Sequence, residues 1–87
     1  MRTITKKTWP EYFKKVRARK KNVELRLADF KISKGDILLL QEWDPKKKIF
    51  TGRSVKRRVA AVHKVNMAKF HSQKKLTKYG LYAIEMK

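Results

Sequence analysis

The residues best equipped for chemistry lie at positions 19–26, "RKKNVELR", where Arg19, Lys20, Lys21 and Arg26 surround a single carboxylate, Glu24. In an extended strand Glu24 and Arg26 share a face, and Lys21 enters beside them from the preceding turn. A carboxylate held there keeps an arginine fork oriented and can accept a hydrogen bond from a base amino group. Lys21 and Arg26 would then supply contacts to phosphate or carbonyl oxygens. The purely structural alternative is an internal ion pair that fixes strand register. The two roles are compatible.

A second basic run, "GRSVKRR" (52–58), places Arg53 and Arg57 on one strand face and Lys56 and Arg58 on the other. It reads as solvated strand, or as a stripe that tracks a phosphate backbone and joins "KKK" (46–48) to "QKK" (73–75). It carries no phosphate-loop glycine pattern. His63 and His71 have no acids at ligand spacing, so no metal site is expected, and no cofactor is expected either. His63 reads as an ordinary half-buried strand residue. Trp43 ends an apolar run and reads as core, whereas Trp9 could stack on a base if exposed.

The elements that must position these groups are short. "RTITKK" (2–7) alternates as an edge strand would. Thr8 is a candidate N-cap, Pro10 suits a first helical turn, and Glu11 suits its positive end. Tyr12, Phe13 and Val16 then follow at helical spacing, which predicts one helix over about 10–18. "NVELRL" alternates with period two, with Val23, Leu25 and Leu27 opposite Glu24 and Arg26. "SKGD" (33–36) is a turn, and "ILLLQEW" (37–43) is a strand at least partly covered on both faces. "DPKKKIFTG" (44–52) reads as a hairpin loop. "RSVKRRVAAVHKV" (53–65) is a long strand, bent or bulged because apolar residues occupy both phases. Residues 66–80 suggest a basic helical turn and a loop, and "LYAIEM" (81–86) is a closing strand. The expected class is α+β, a small curled sheet or barrel in one domain spanning 1–87.

Charge is the dominant bulk property. The 87 residues carry 25 Lys and Arg against 7 Asp and Glu, a net charge of +18. A magnitude of about 2–8 suffices for solubility in a small domain. Such self-repulsion opposes compaction, and a polyanion would relieve it, with nucleic acid the expected partner. No apolar run approaches the roughly 18 residues of a membrane span, and no membrane partner is expected. Without cysteine the chain forms neither disulfides nor thiolate zinc sites. A cytoplasmic, monomeric protein is the default expectation.

"WPEYFKKVRARKKNVELR", then "FKISKGDILLLQEWDPKKKIFTGR", then a long strand and "YGLYAIEMK", together resemble the ASCH group of the PUA-like superfamily. That group's hallmark is Gly-x-Lys-x-x-Glu-x-Arg after the first helix; here Arg19 replaces the glycine, and Lys21, Glu24 and Arg26 match. The resemblance implies a PUA-like β-barrel with the hallmark residues lining a cleft beside the helix. It also implies RNA or nucleotide ligands, RNA before DNA. Some compact ASCH proteins are amidohydrolases of N4-acetylcytidine, but in those a threonine stands where this chain has Glu24. The only late acid here, Glu85, falls in the last strand. An ASCH-type ribonuclease would need a Lys–Tyr constellation, with Tyr12, Tyr79 or Tyr82 as the phenol. A nucleic-acid-binding module is therefore the expected function, and an RNA-modifying or RNA-cleaving enzyme the alternative. Catalytic candidates in the second case are Lys21, Glu24 and Tyr79.

Overall fold

A computed structural model describes residues 1–65 and 80–87, which form five strands and one helix. In chain order these are β1 (Thr3–Thr8), α1 (Pro10–Arg17), β2 (Val23–Leu27), β3 (Ile37–Asp44), β4 (Ile49–Val65) and β5 (Leu81–Met86). They build one mixed, mostly β sheet in the order β1-β3-β4-β5-β2, with β1 parallel to β3 and the other pairs antiparallel. The second short helix expected near 66–80 falls on residues outside those described.

β4 organises the sheet. Its first part pairs with β3 and its last part with β5, and the register shifts between Val59 and Ala61. The bulge accounts for apolar residues on both alternation phases, since an extra residue switches which side chains point inward. Bent there, β4 turns the two halves of the sheet toward each other. The outermost strands, β1 and β2, consequently approach, and the Arg26 Nη2 donates to the Lys7 carbonyl across the seam at 2.8 Å.

The expected barrel is corrected at this seam. Among the described residues no backbone hydrogen bond joins β1 to β2, so the sheet stays open. A guanidinium occupies the place a ladder would take.

The core is small. Val16, Ile32, Leu38, Leu40, Val59, Ile84 and Met86 form it, flanked by Ile4, Phe30, Val55, Val62 and Tyr82. Leu38, Leu40 and Ile84 have no exposure at all, and each such side chain contributes about 1.5–3 kcal/mol by leaving water. α1 has eight residues, far fewer than an isolated helix needs to persist. Burial of Phe13 and Val16 against the sheet therefore holds it. Its start differs from expectation. Thr8 ends β1 and is buried, and Trp9 occupies the cap position with no side-chain cap bond. The Trp9 carbonyl instead accepts from the Tyr12 and Phe13 N–H groups at 3.1 and 2.8 Å.

The β3–β4 connection is tighter than the expected 44–52 loop. Asp44 Oδ1 accepts from the N–H groups of Lys46 and Lys47 at 2.9 and 3.2 Å, an Asx turn that lets pairing resume at Ile49.

Candidate functional site

β2 is inside out by ordinary amphipathic standards. Its charged phase faces inward, with Glu24 only 3% exposed, while Val23 and Leu25 stand 42% and 60% exposed. The burial of Glu24 is compensated by its neighbours: Lys21 Nζ donates to Oε1 at 2.8 Å and Arg26 Nε donates to Oε2 at 2.6 Å. Each cation keeps about a quarter of its side chain in contact with solvent, so the triad is an acid covered by two partly open bases. These are charge-assisted bonds, and they fix the direction of both cations.

The turn between α1 and β2 delivers Lys21. The N–H groups of Lys20 and Lys21 both donate to the Lys15 carbonyl, at 2.9 and 3.1 Å, and Arg19 takes a left-handed φ of 59° to close the turn. Asn22 Nδ2 bonds back to the Arg19 carbonyl at 3.3 Å. Beneath the turn lies Arg57, itself 3% exposed. Its guanidinium donates to the carbonyls of Val16 (3.0 Å), Lys21 (3.4 Å), Met86 (3.3 Å) and Lys87 (2.7 Å), and to Asn22 Oδ1 (2.7 Å). Burial lowers the Arg57 pKa, with the positive charge of Arg19 a smaller cause in the same direction.

This geometry corrects the expectation that Arg57 lies on a phosphate-tracking stripe. Every nitrogen of its fork is engaged inside the protein, so it positions the Lys21 turn and offers nothing to a ligand.

The triad opens onto a groove of about 680 Å³ at the seam. One wall is the end of β1 and the start of α1, namely Lys7, Thr8, Trp9 and Tyr12; the other is Lys21 and the Val23–Arg26 stretch. Trp9 and Tyr12 are 51% and 44% exposed, and the Lys21 Nζ lies 5.4 Å from the Tyr12 ring centre. The groove therefore combines aromatic and aliphatic walls with a cationic rim. Lys21 has N–H groups beyond the one given to Glu24, and Arg26 has a terminal nitrogen beyond those given to Glu24 and Lys7.

Other expected site residues lie elsewhere. Arg19 and Lys20 are exposed on the turn, outside the groove lining. Lys56 and Arg58 are exposed on the outer face of β4. Arg53 extends over the wholly buried Glu42, whose Oε1 accepts from Arg53 Nε at 2.8 Å and from Thr51 Oγ1 at 2.6 Å. The Thr51 hydrogen bond, then Arg53, hold the Glu42 pKa below its ordinary value against the opposing effect of burial. Trp43 packs edge-on against Phe50 at 4.9 Å, and Lys7 Nζ sits 4.5 Å from the Trp43 ring centre. Tyr82, the cross-strand partner of Arg26, donates its hydroxyl to the Phe30 carbonyl at 2.9 Å and does not line the groove. Tyr79 and His71 lie outside the described residues. His63, expected half-buried, is exposed and pairs with Glu85 at 2.6 Å. Among the described residues no group of three or more His, Cys, Asp or Glu could hold a metal ion. No helix among them is long and apolar enough to cross a membrane.

Sequence reasoning missed the groove walls. Val23 and Leu25 alternate as core residues do, and nothing in that pattern says which face is buried. Lys7 gains meaning only once β1 and β2 are brought together.

A family model described as "Domain of unknown function (DUF3850)" matches residues 5–76. Among solved structures, the chain is similar to the hypothetical protein PH0355, at 20% identity and a TM-score of 0.72, over 100% of this chain and 98% of that one. It is also similar to protein PF0455 from Pyrococcus furiosus, at 23% identity and a TM-score of 0.61, over 100% of this chain and 96% of that one. At these identities the likeness speaks for the fold alone. A comparison with curated proteins finds no match.

Proposed function

The chain belongs to the DUF3850 family, and from that premise we propose that it binds single-stranded nucleic acid, RNA before DNA, through the groove at Lys21, Glu24 and Arg26. The observation that carries this reading is the groove's composition. Exposed Trp9 and Tyr12 offer flat apolar surfaces beside two cations fixed by a shared carboxylate. A base can stack on the aromatic wall while its phosphate or carbonyl oxygens meet Lys21 and Arg26. The net charge of +18 supplies the sequence-independent part of the attraction. The preference for RNA rests on the finer likeness to ASCH proteins, carried by Lys21-x-x-Glu24-x-Arg26 and the blocks that follow.

The rival, an enzyme acting through Lys21, receives less support. An ammonium donating to Glu24 at 2.8 Å has no lone pair with which to attack. Incubation with acetylated cytidine and with labelled RNA, beside a Lys21→Ala control, separates the two readings. Product that disappears only with the variant would favour the enzyme.

Fluorescence anisotropy on labelled RNA, single-stranded DNA and duplex tests the binding reading. Single strands should bind best, and log affinity should fall linearly with log salt, with a slope of about 0.7 per phosphate neutralised. Lys56→Ala and Arg58→Ala should weaken all single strands alike and flatten that slope, whereas Lys21→Ala should also reduce the preference for strands with bases over abasic ones. Weak binding to every polynucleotide at low salt would end the proposal.

A further inference from the structure

Two strand edges flank the groove, and among the described residues neither edge is paired. β2 bonds to β5 through its even-numbered positions. The Met86 N–H donates to the Asn22 carbonyl at 2.8 Å and the Ala28 N–H donates to the Gly80 carbonyl at 3.0 Å, which fixes the phase of the register between them. In an antiparallel ladder successive residues turn their backbone groups to opposite sides. The N–H and C=O of Val23, Leu25 and Leu27 therefore point away from β5, toward β1. No described residue bonds to them. Of these, Val23 and Leu25 line the groove.

Bare peptide groups on an edge strand are a template for pairing. An added peptide strand would have to run along the seam, and the Arg26–Lys7 bond crosses that path at 2.8 Å. A flat ring needs only one residue's length of edge. The cations at Lys21 and Arg26 and the rings of Trp9 and Tyr12 also suit a nucleotide better than a strand.

We infer that the free edge of β2 reads the base. The Leu25 N–H donates to a ring nitrogen or carbonyl oxygen of a nucleobase held against the aromatic wall, and the Leu25 C=O accepts from the neighbouring amino or imino N–H. Each of the common bases carries such an acceptor–donor pair side by side on its Watson–Crick edge, so this contact recognises a base as such and discriminates weakly among the four. Identity would then be set by the donors left on Lys21 and Arg26. This inference rests on the nucleic-acid reading above and adds the backbone group that performs the recognition.

Leu25→Pro removes the N–H without touching the ladder to β5, and proline is tolerated on an edge strand where the N–H faces outward. A semisynthetic protein with an ester in place of the Leu25 amide removes the same N–H and keeps the side chain. Far-UV circular dichroism checks that each is folded. Anisotropy then compares a single strand bearing bases with the same strand bearing abasic sites. The wild type should prefer bases, and in both variants that preference should fall by about five- to tenfold. In the wild type the Leu25 amide should gain protection from hydrogen exchange when the base-bearing strand is added. A folded variant with undiminished base preference would overturn the inference. So would a Leu25 amide protected by a neutral extended peptide and left exchanging by the single strand. A wild type that binds strands but favours neither form would overturn it too, whereas a wild type that binds no polynucleotide would remove the underlying reading as well.

Discussion

At the scale of single residues, two equally buried charges have opposite employment. Glu24 is a buried acid answered by two bases that reach solvent, so it orients groups available to a ligand. Glu24→Gln weakens both of its bonds and leaves Lys21 and Arg26 facing each other without a neutralising charge. The expected loss is about 1–3 kcal/mol of stability, read by urea unfolding, together with loss of the preference for bases. Arg57 is a base answered only by carbonyls and an amide oxygen, deep under the Lys21 turn. Arg57→Ala strands those acceptors and opens a cavity, at a cost of about 2–5 kcal/mol. Arg57→Lys should recover little of it, because an ammonium cannot span the same fork of acceptors. Thermal unfolding of both variants checks this, and a near-normal Tm for either would show that Arg57 does not hold the turn.

At the scale of elements, the strands and helix are legible in the sequence because their periods are clean. The helix over 10–18 and the strands at 2–7, 22–27 and 81–86 are found within a residue or two of where the pattern puts them. The bulge in β4 is legible for the same reason, since apolar residues on both phases require a point where the inward face switches. The Lys21–Glu24–Arg26 constellation is legible from its spacing alone. Orientation is not. An alternation of Val, Glu, Leu, Arg and Leu is the same string whichever face turns inward, and here tertiary pairing of Glu24 reverses the usual choice. The burial of Arg57 is equally hidden, because a basic residue in a basic run carries no mark of its depth.

The ends of β1 and β3 carry a pH dependence of their own. Asp36 accepts from the N–H groups of Arg2 and Ser33 at 3.0 and 2.9 Å, and these bonds hold its carboxyl below the ordinary value of 3.8. Glu42 is held below its ordinary value of 4.5 by Thr51 and Arg53. Both depressed values favour the folded state above the ordinary carboxylate range. That contribution declines as pH falls below the ordinary values and is gone once the folded-state values are passed. Urea midpoints measured from neutral pH downward should therefore drop on the acid side, and Asp36→Asn or Glu42→Gln should flatten that limb. An acid limb unchanged in both variants would refute the assignment.

At the scale of the whole molecule, a modest core must withstand a large excess of like charge. The open seam is where the two problems meet. Had β1 and β2 paired, the sheet would have no bare edge and no groove between aromatic and cationic walls. Instead, among the described residues, a single guanidinium bond spans the gap, and the side chains around it remain half exposed. The central claim, that a base occupies this groove, is most directly tested through Trp9. In a Trp43→Phe background Trp9 is the protein's sole tryptophan. Titration with single-stranded RNA should quench its emission saturably, quenching should diminish as salt is raised, and an abasic strand should quench far less. Emission that stays constant while anisotropy reports bound RNA would contradict the account, because the polymer would then be held by surface charge with no base in the groove.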